Sequence, residues 1–497
     1  MGSPQVLDTY LYIIQYVRFP CVITGGWRIF MEKKKSGKSK ASGKPAKIEP
    51  IDTQKLLEKA YLPAKQATAY HPFYQGKIEV ISKCAIRDFD DFAIWYTPGV
   101  AEPCKLINKN KDEVYRQTNK WNTIAVVSDG TRVLGLGDIG PEAGLPVMEG
   151  KSLLFKYLGG VDAVPLCLDT KDPDKLIETV KILQPSFGGI NLEDIANPKC
   201  FYILDRLREE MDIPVWHDDQ QGTATICVAG LINAVKIVGK KLNEIELAMV
   251  GAGAANIAIA RMCVAAGVDI KKIVMVDTKG ILEPTRPDAK ELQEKYPDKW
   301  RMAINSNKMG KKGGIAEALE GADACIGASK PGPGTIKKEW VQKMASDSIV
   351  FATANPIPEI WPWEAKEAGV RVFATGRSDF PNQVNNSLGF PGIFRGTLDV
   401  MAKTITDEMC IAAAEALAET AESKGLSEDY IVPNMNEWEV FPREAAAVGA
   451  KAIEQGLARV KMSYDEIYQK ASKIIERARN QTKSMMKNKF ILPPPKI

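Results

Sequence analysis

Residues 245–260 read IELAMVGAGAANIAIA. A short apolar run ends in Gly251 and Gly253, and an Ala-rich helical stretch follows at once. Two glycines at such a junction permit a tight turn and let a pyrophosphate approach a helix N-terminus. The next strand-like run, KIVMVD, ends in Asp277, 26 residues after Gly251. A carboxylate at that place can take both ribose hydroxyls of NAD. The stretch therefore predicts a βαβ dinucleotide unit in which Gly251, Gly253, Ala254, Ala255, Asn256 and Asp277 meet the cofactor. Asn256 stands where a third glycine is usual, a departure from the pattern that gives the closest helix–strand packing. The bland alternative is a tight turn with no dinucleotide.

Outward from this point, the downstream strand-like runs are ADACIGAS, SIVFATAN and VRVFATG, with helical stretches between them. Upstream, TIAVVS and RVLGLG flank Asp129-Gly130, a hairpin-type turn signal. Helix-like GKSLLFKYLGG, strand-like VDAVPLCLD, a helix over about 172–183, strand-like GGINLED, a helix over 198–211 and strand-like PVWHDD follow. Strands alternating with helices of this length imply parallel sheets. From 397 onward the pattern is helical. The expected architecture is α/β: a Rossmann-type dinucleotide domain, an α/β substrate domain and a helical C-terminal tail.

The chain has 497 residues, 45% hydrophobic and 26% charged, with a net charge of +4. That balance gives no argument for a nucleic-acid partner. Nine scattered cysteines without a C-x-x-C pair fit a reducing cytoplasm. Residues 5–30 are apolar, but Asp8, Arg18, Pro20 and Arg28 interrupt them before a membrane span is reached. Residues 1–50 are read as a tail or start-site extension, with Met31 a second plausible start.

Chemistry gathers at two predicted strand ends. GGINLED presents Glu193 and Asp194, and PVWHDD presents Asp218 and Asp219. Strand ends of a parallel sheet share one edge, where α/β ligand sites collect. Carboxylates without a histidine cluster suit Mg²⁺ or Mn²⁺ better than zinc; solvated strand-end acids are the plain alternative. His217 reads as a hydrogen-bonded neighbour. Tyr96, ahead of a Pro-Gly turn, reads first as a buried structural ring. Lys151 reads as the start of a helix, where the dipole would depress its pKa toward that of a general base. Arg132, within the expected hairpin, is a possible anion anchor. Asn355, Asn385 and Asn386 are amides at or after strand ends.

YTPGVA, SDGTRVLGLGDIG, GK before an apolar helix, LED, DDQQGTA, GAGAA, ANP and NN…FPG occur in this order. Together they resemble malic enzymes of the shorter kind found in bacteria and archaea, over roughly residues 55–475. The resemblance implies metal-dependent oxidative decarboxylation of (S)-malate to pyruvate and CO₂ with reduction of NAD or NADP, NAD slightly favoured by Asp277. It also implies decarboxylation of oxaloacetate. By the same resemblance Glu193, Asp194 and Asp219 match metal ligands, and Asp218 the acid that assists the base. Lys151 matches the general base and Tyr96 the general acid. Arg132, Asn355 and Asn386 match holders of malate's carboxylates, with Asn355 also near the cofactor. The implied domains are 51–218 for substrate and metal, 219–386 for the dinucleotide, and 387–497 for helices returning to the first domain. A homodimer or homotetramer is expected, with no nucleic-acid or membrane partner. The rival readings are another metal-dependent 2-hydroxy-acid dehydrogenase and a non-catalytic nucleotide-binding module.

Overall fold

The computed structural model describes residues 53–497. The expected tail over 1–50 lies outside the described residues. The description begins in helix α1 (Thr53–Tyr74).

The first sheet is built from β1 (Thr123–Ser128), α2 (Pro141–Gly159), β2 (Asp162–Cys167), α3 (Pro173–Leu183), β3 (Gly189–Leu192), α4 (Lys199–Glu210) and β4 (Val215–His217). Its strands lie in the order β2-β1-β3-β4, all parallel. Val-, Ile- and Leu-rich runs buried on both faces are what such a sheet demands, and β3 and β4 are buried at every position. The pairing sets Ile190 against Val215 and Leu192 against His217. β3 and β4 therefore end level, and the residues just past them stand side by side.

The expected hairpin at Asp129-Gly130 does not form. β1 already pairs with β2 on one side and β3 on the other, so no edge is left for RVLGLG. Those residues instead make turns closed by a Val133–Gly137 bridge.

Helix α5 (Thr223–Ile237) leads into the second sheet, and most of its residues are buried, which suits its lack of a polar face. β5 (Leu247–Val250), α6 (Ala254–Ala265), β6 (Ile273–Asp277), β7 (Gly280–Ile281), β8 (Ala324–Gly327), β9 (Ile349–Ala352) and β10 (Val372–Thr375) follow. The order is β10-β9-β8-β5-β6-β7, parallel except for the short β7. The chain leaves β5 toward β6 on one side and places β8 on the other. A crevice outside β5 and β8 is the place where open α/β sheets take their ligands.

The C-terminal region is helical: α7 (Phe390–Asp399), α8 (Asp407–Lys424), α9 (Val440–Glu454) and α10 (Tyr464–Lys487). α7 covers α2. The Phe155 ring lies 4.5 Å from Phe390 and 5.1 Å from Phe394. Arg395 and Asp399, both fully buried, pair at 3.0 Å, and Arg395 Nη1 donates to Asn122 Oδ1 at 2.5 Å, just ahead of β1. Removing one partner of such a pair costs roughly 3–5 kcal/mol, so this contact pins the late helices to the first sheet. Among the described residues no helix is long and apolar enough to cross a membrane.

Candidate active site

The level ends of β3 and β4 bring Lys151 into a cage of acids. Its Nζ lies 2.5 Å from Asp218 Oδ2 and 3.0 Å from Glu193 Oε1. Below it, the Phe390 ring centre is 4.2 Å away. Asp218 is wholly buried and held from several sides: Asn386 Nδ2 donates to Oδ2, and Trp216 Nε1 donates to Oδ1 at 3.3 Å. Glu193 Oε2 accepts from Asn191 Nδ2 at 2.9 Å. On the outer side, Asp219 Oδ2 accepts from the Asp194 amide at 2.9 Å, and the Asp219 side chain is 39% exposed.

The two aspartates do not continue β4. Asp218–Gly222 form a wide, π-type turn before α5. That turn aims Asp218 inward at Lys151 and leaves Asp219 facing outward. A Cβ on Gly222 would stand 2.3 Å from Asp218 Oδ1, so the turn closes only over glycine.

Lys151 sits in the middle of α2, not at its start, because the helix begins ten residues earlier, with Pro141 in its first turn. The expected depression of its pKa is reversed. Burial alone would lower it, but Asp218 and Glu193 more than offset that and hold the ammonium protonated. The acids show the opposite imbalance. Burial pushes Asp194 up to about 7, with Asp219 adding to the rise, and burial pushes Glu193 well up. One lysine does not neutralise four carboxylates in a low-dielectric pocket.

Asp194 Oδ2 is buried and without a hydrogen-bond partner. No three metal-ligating side chains are already clustered among the described residues. Even so, an all-oxygen donor set, surplus negative charge and an orphaned carboxylate oxygen fit a hard divalent cation.

His217 is fully buried, neither ring nitrogen has a partner, and Nδ1 lies 3.8 Å from Asp219 Oδ2. Burial lowers its pKa to about 4, so the ring is neutral. Arg132 ties its main chain to the site, its amide donating to the Asp194 carbonyl at 3.0 Å, while its exposed guanidinium donates to Leu134 O at 2.7 Å.

Tyr96 is not buried, as the sequence suggested, and is not among the groups touching Lys151. The residue is 71% exposed, on a segment over 75–112 that is exposed nearly throughout.

At the second sheet Gly251 takes φ +103°, and a Cβ there would lie 2.6 Å from the Ala328 carbonyl. This turn therefore needs glycine on both counts. Asn256 bridges the turn from that position: its Nδ2 donates to Val250 O and Gly251 O, each at 2.9 Å. Gly253 and Ala254 open α6, with Ala255 in its first turn. Asp277 ends β6 as expected, but Arg286 and Lys299 sit on its carboxylate.

Sequence reasoning missed Glu359. Fully buried, it accepts from Ser329 N at 2.9 Å, Ser329 Oγ at 3.1 Å and Ala354 N at 3.1 Å. It joins the loop after β8 to the loop after β9 that carries the exposed Asn355. Its place in ANPIPE, directly after Pro358, was the available signal.

Residues 75–208 match the malic enzyme N-terminal domain, and residues 220–453 the malic enzyme NAD binding domain. The chain is 50% identical over 410 residues to the bifunctional malic/malolactic enzyme of Bacillus subtilis (strain 168), covering 82% of this chain and 98% of that one. It is 51% identical over 384 residues to the NAD-dependent malic enzyme of Geobacillus stearothermophilus, covering 77% and 78%. Its structure resembles that of the Entamoeba histolytica malic enzyme with a TM-score of 0.86 and 47% identity, covering 90% and 93%. The chain belongs to the malic enzyme family.

Proposed function

We propose that malate is held and turned over at the shared edge of β3 and β4, with Lys151 as proton acceptor. As a malic enzyme the chain oxidises and decarboxylates (S)-malate to pyruvate and CO₂ and reduces NAD(P). The residue assignment rests on one observation above all, the clasp of a buried lysine between Asp218 and Glu193.

Glu193, Asp194 and Asp219 would hold Mg²⁺ or Mn²⁺. When bound, the cation supplies Lewis acidity at the reacting oxygen, and NAD(P) is the hydride acceptor. Lys151 receives the C2 hydroxyl proton. Its two carboxylates set how readily it does so: a cation held at Glu193 would weaken the field on the ammonium, letting its proton pass to solvent so that the neutral amine can accept the next one. Asp218 keeps the amine aimed, with Asn386 and Trp216 fixing Asp218 in turn. Arg132, Asn355 and Asn386 engage malate's carboxylates. The turn at Gly251, Gly253, Ala254 and Ala255, together with Asp277, takes the dinucleotide. Residues 51–218 form the substrate and metal domain, 219–386 the dinucleotide domain and 387–497 the helical tail.

Tyr96 returns a proton to the enol, and we place it in the site of a second copy. Val80, Phe89, Phe92, Trp95 and Tyr96 are all exposed on one short stretch, a concentration of apolar side chains that a lone soluble surface rarely carries. A homodimer or homotetramer would cover it and carry each Tyr96 to a neighbour's lysine. The eight described cysteines are unpaired, which supports the cytoplasm.

The test pairs two inactive chains. Tyr96→Phe and Lys151→Ala subunits, co-expressed and assayed for pyruvate and NAD(P)H from malate with Mn²⁺, should regain about half the activity per mixed dimer. Each parent should fall by about 10²–10⁴ in kcat. No recovery in verified mixed dimers would place Tyr96 within its own chain's site or outside the chemistry.

A further inference from the structure

We propose that Asp129, acting with Thr131 and Lys199, is a positioning residue for the divalent cation: it fixes the main chain of Asp194 without touching the ion. The inference rests on the reading of Asp194 as a metal ligand.

Asp194 takes φ +55°. That left-handed conformation is uncommon for a residue with a side chain and persists where the surroundings impose it. Here they are the loop that follows β1. The Arg132 amide donates to the Asp194 carbonyl at 3.0 Å, and the Leu134 amide reaches Asp194 Oδ1 at 3.4 Å. Two residues on, the Ala196 amide donates to Thr131 Oγ1 at 3.0 Å. Asp194 Oδ2 is left as the carboxylate oxygen without a partner.

Asp129 organises this loop from below. Thr131 Oγ1 donates to Asp129 Oδ1 at 2.6 Å, and the Thr131 amide donates to the same oxygen at 3.1 Å. By taking the hydroxyl proton, Asp129 leaves the lone pairs of Thr131 facing the Ala196 amide. Its other oxygen, Oδ2, meets Lys199 Nζ at 2.5 Å, and Lys199 is the first residue of α4. One carboxylate thus grips the 194–199 segment twice, at Ala196 through Thr131 and at Lys199 directly. Asp129 and Thr131 are both buried, so water does not compete for these bonds. The loop is anchored in turn, because the Gly130 carbonyl accepts from the Ile139 and Gly140 amides at 3.2 Å each, just before α2.

The ammonium on Oδ2 offsets the charge that a cation would seek at Asp129. Its influence on the metal therefore passes through Asp194. Groups that orient a metal ligand from outside are worth about 10–100-fold in metal affinity.

The test follows Mn²⁺ binding to the whole protein by electron paramagnetic resonance of the free ion, without substrate or cofactor. Asp129→Asn keeps the shape and gives up the charge facing Lys199. Thr131→Val keeps the shape and removes the hydroxyl that links Asp129 to Ala196. Each should raise the Mn²⁺ Kd by about 10–100-fold, and the Mn²⁺ concentration giving half-maximal malate oxidation should rise in step. Thr131→Ser retains the hydroxyl and should bind Mn²⁺ within about threefold of wild type. Asp194→Asn is the control for the site itself. If it weakens Mn²⁺ and a cooperatively folded Thr131→Val does not, the positioning role is overturned and the metal site stands. If Thr131→Ser loses as much affinity as Thr131→Val, packing and not the hydroxyl sets the ligand, and the role is again overturned. If Asp194→Asn leaves Mn²⁺ binding unchanged, the ligand reading fails and the proposal fails with it.

Discussion

Lys151 Nζ and Asp218 Oδ2 meet at 2.5 Å with neither side chain open to solvent. A buried pair of this kind is a weak source of net stability, but taking one charge away leaves the other uncompensated. Asp218→Ala also strips Asn386 and Trp216 of their acceptor. It should destabilise the fold by about 3–5 kcal/mol, read by urea unfolding. Asp218→Asn keeps the volume and should fold, yet it leaves Lys151 with Glu193 alone. Its kcat should fall by about 10²–10⁴ with a smaller change in the malate KM. A kcat within a factor of a few of wild type would remove Asp218 from the chemistry.

Asp194 is held up to about 7 in the folded chain against 3.8 ordinarily. The folded state therefore binds the proton more readily. The cost of the charged form is absent below pH 4, grows between about 4 and 7, and is complete above 7. Asp194→Asn should be more stable than wild type at pH 8 by at least about 1 kcal/mol and should have no such advantage at pH 4. Mn²⁺ should raise the Tm of wild type at pH 8 and leave that of the variant nearly unchanged. Equal Mn²⁺ stabilisation of both proteins would exclude Asp194 as a ligand.

His217 behaves in the opposite sense. Burial lowers it to about 4, below its ordinary 6.5, so the unfolded chain takes the proton first. Its share of stability is intact above pH 6.5 and drains away as pH falls toward 4. Between pH 7.5 and 5 the loss is about 2 kcal/mol. His217→Asn has no such titration, so its stability should fall less over that interval, whatever its absolute value. Parallel pH curves for the two proteins would place His217 in a wetter setting than the structure does.

Glu359 accepts three donors and faces no cation. Glu359→Gln can still accept from Ser329 but turns an amide donor toward the Ala354 N–H or loses that contact. The loop bearing Asn355 should loosen, raising the malate KM by about tenfold, roughly one hydrogen bond to a charged group. Binding of 5′-AMP, expected on the β6 side of β5, should hold steady. A matched loss in both would make Glu359 a general support of the sheet.

Much of this was legible in advance because the strands are short, apolar and closed by glycines or acids. β5, β6, β8, β9 and β10 announce themselves that way, and so does the paired edge that carries Glu193 and Asp218. What the sequence hid was set by partners far along the chain. RVLGLG alternates like a strand, but both edges of β1 were already taken. Lys151 looked like a helix start because GK precedes an apolar run, whereas the helix begins at Pro141. The rise in its pKa depends on two acids 42 and 67 residues away, which no local pattern records. Asn256 looked like a missing glycine until its amide found the carbonyls of Val250 and Gly251. Arg286 on Asp277 gave no signal, since nothing in the spacing distinguishes it from a surface arginine.

The seam between α2 and α7 also sets a timetable for the ribosome. Phe155 and Leu158 are buried, and Phe155 packs on the Phe390 and Phe394 rings, which are translated more than two hundred residues later. At ordinary elongation rates that interval is on the order of 10–50 seconds. Throughout it Phe155 lacks the rings that cover it, and exposed apolar surface of this kind makes a nascent chain prone to aggregate. The late helices are fastened to the first sheet only when Arg395 has emerged to meet Asn122.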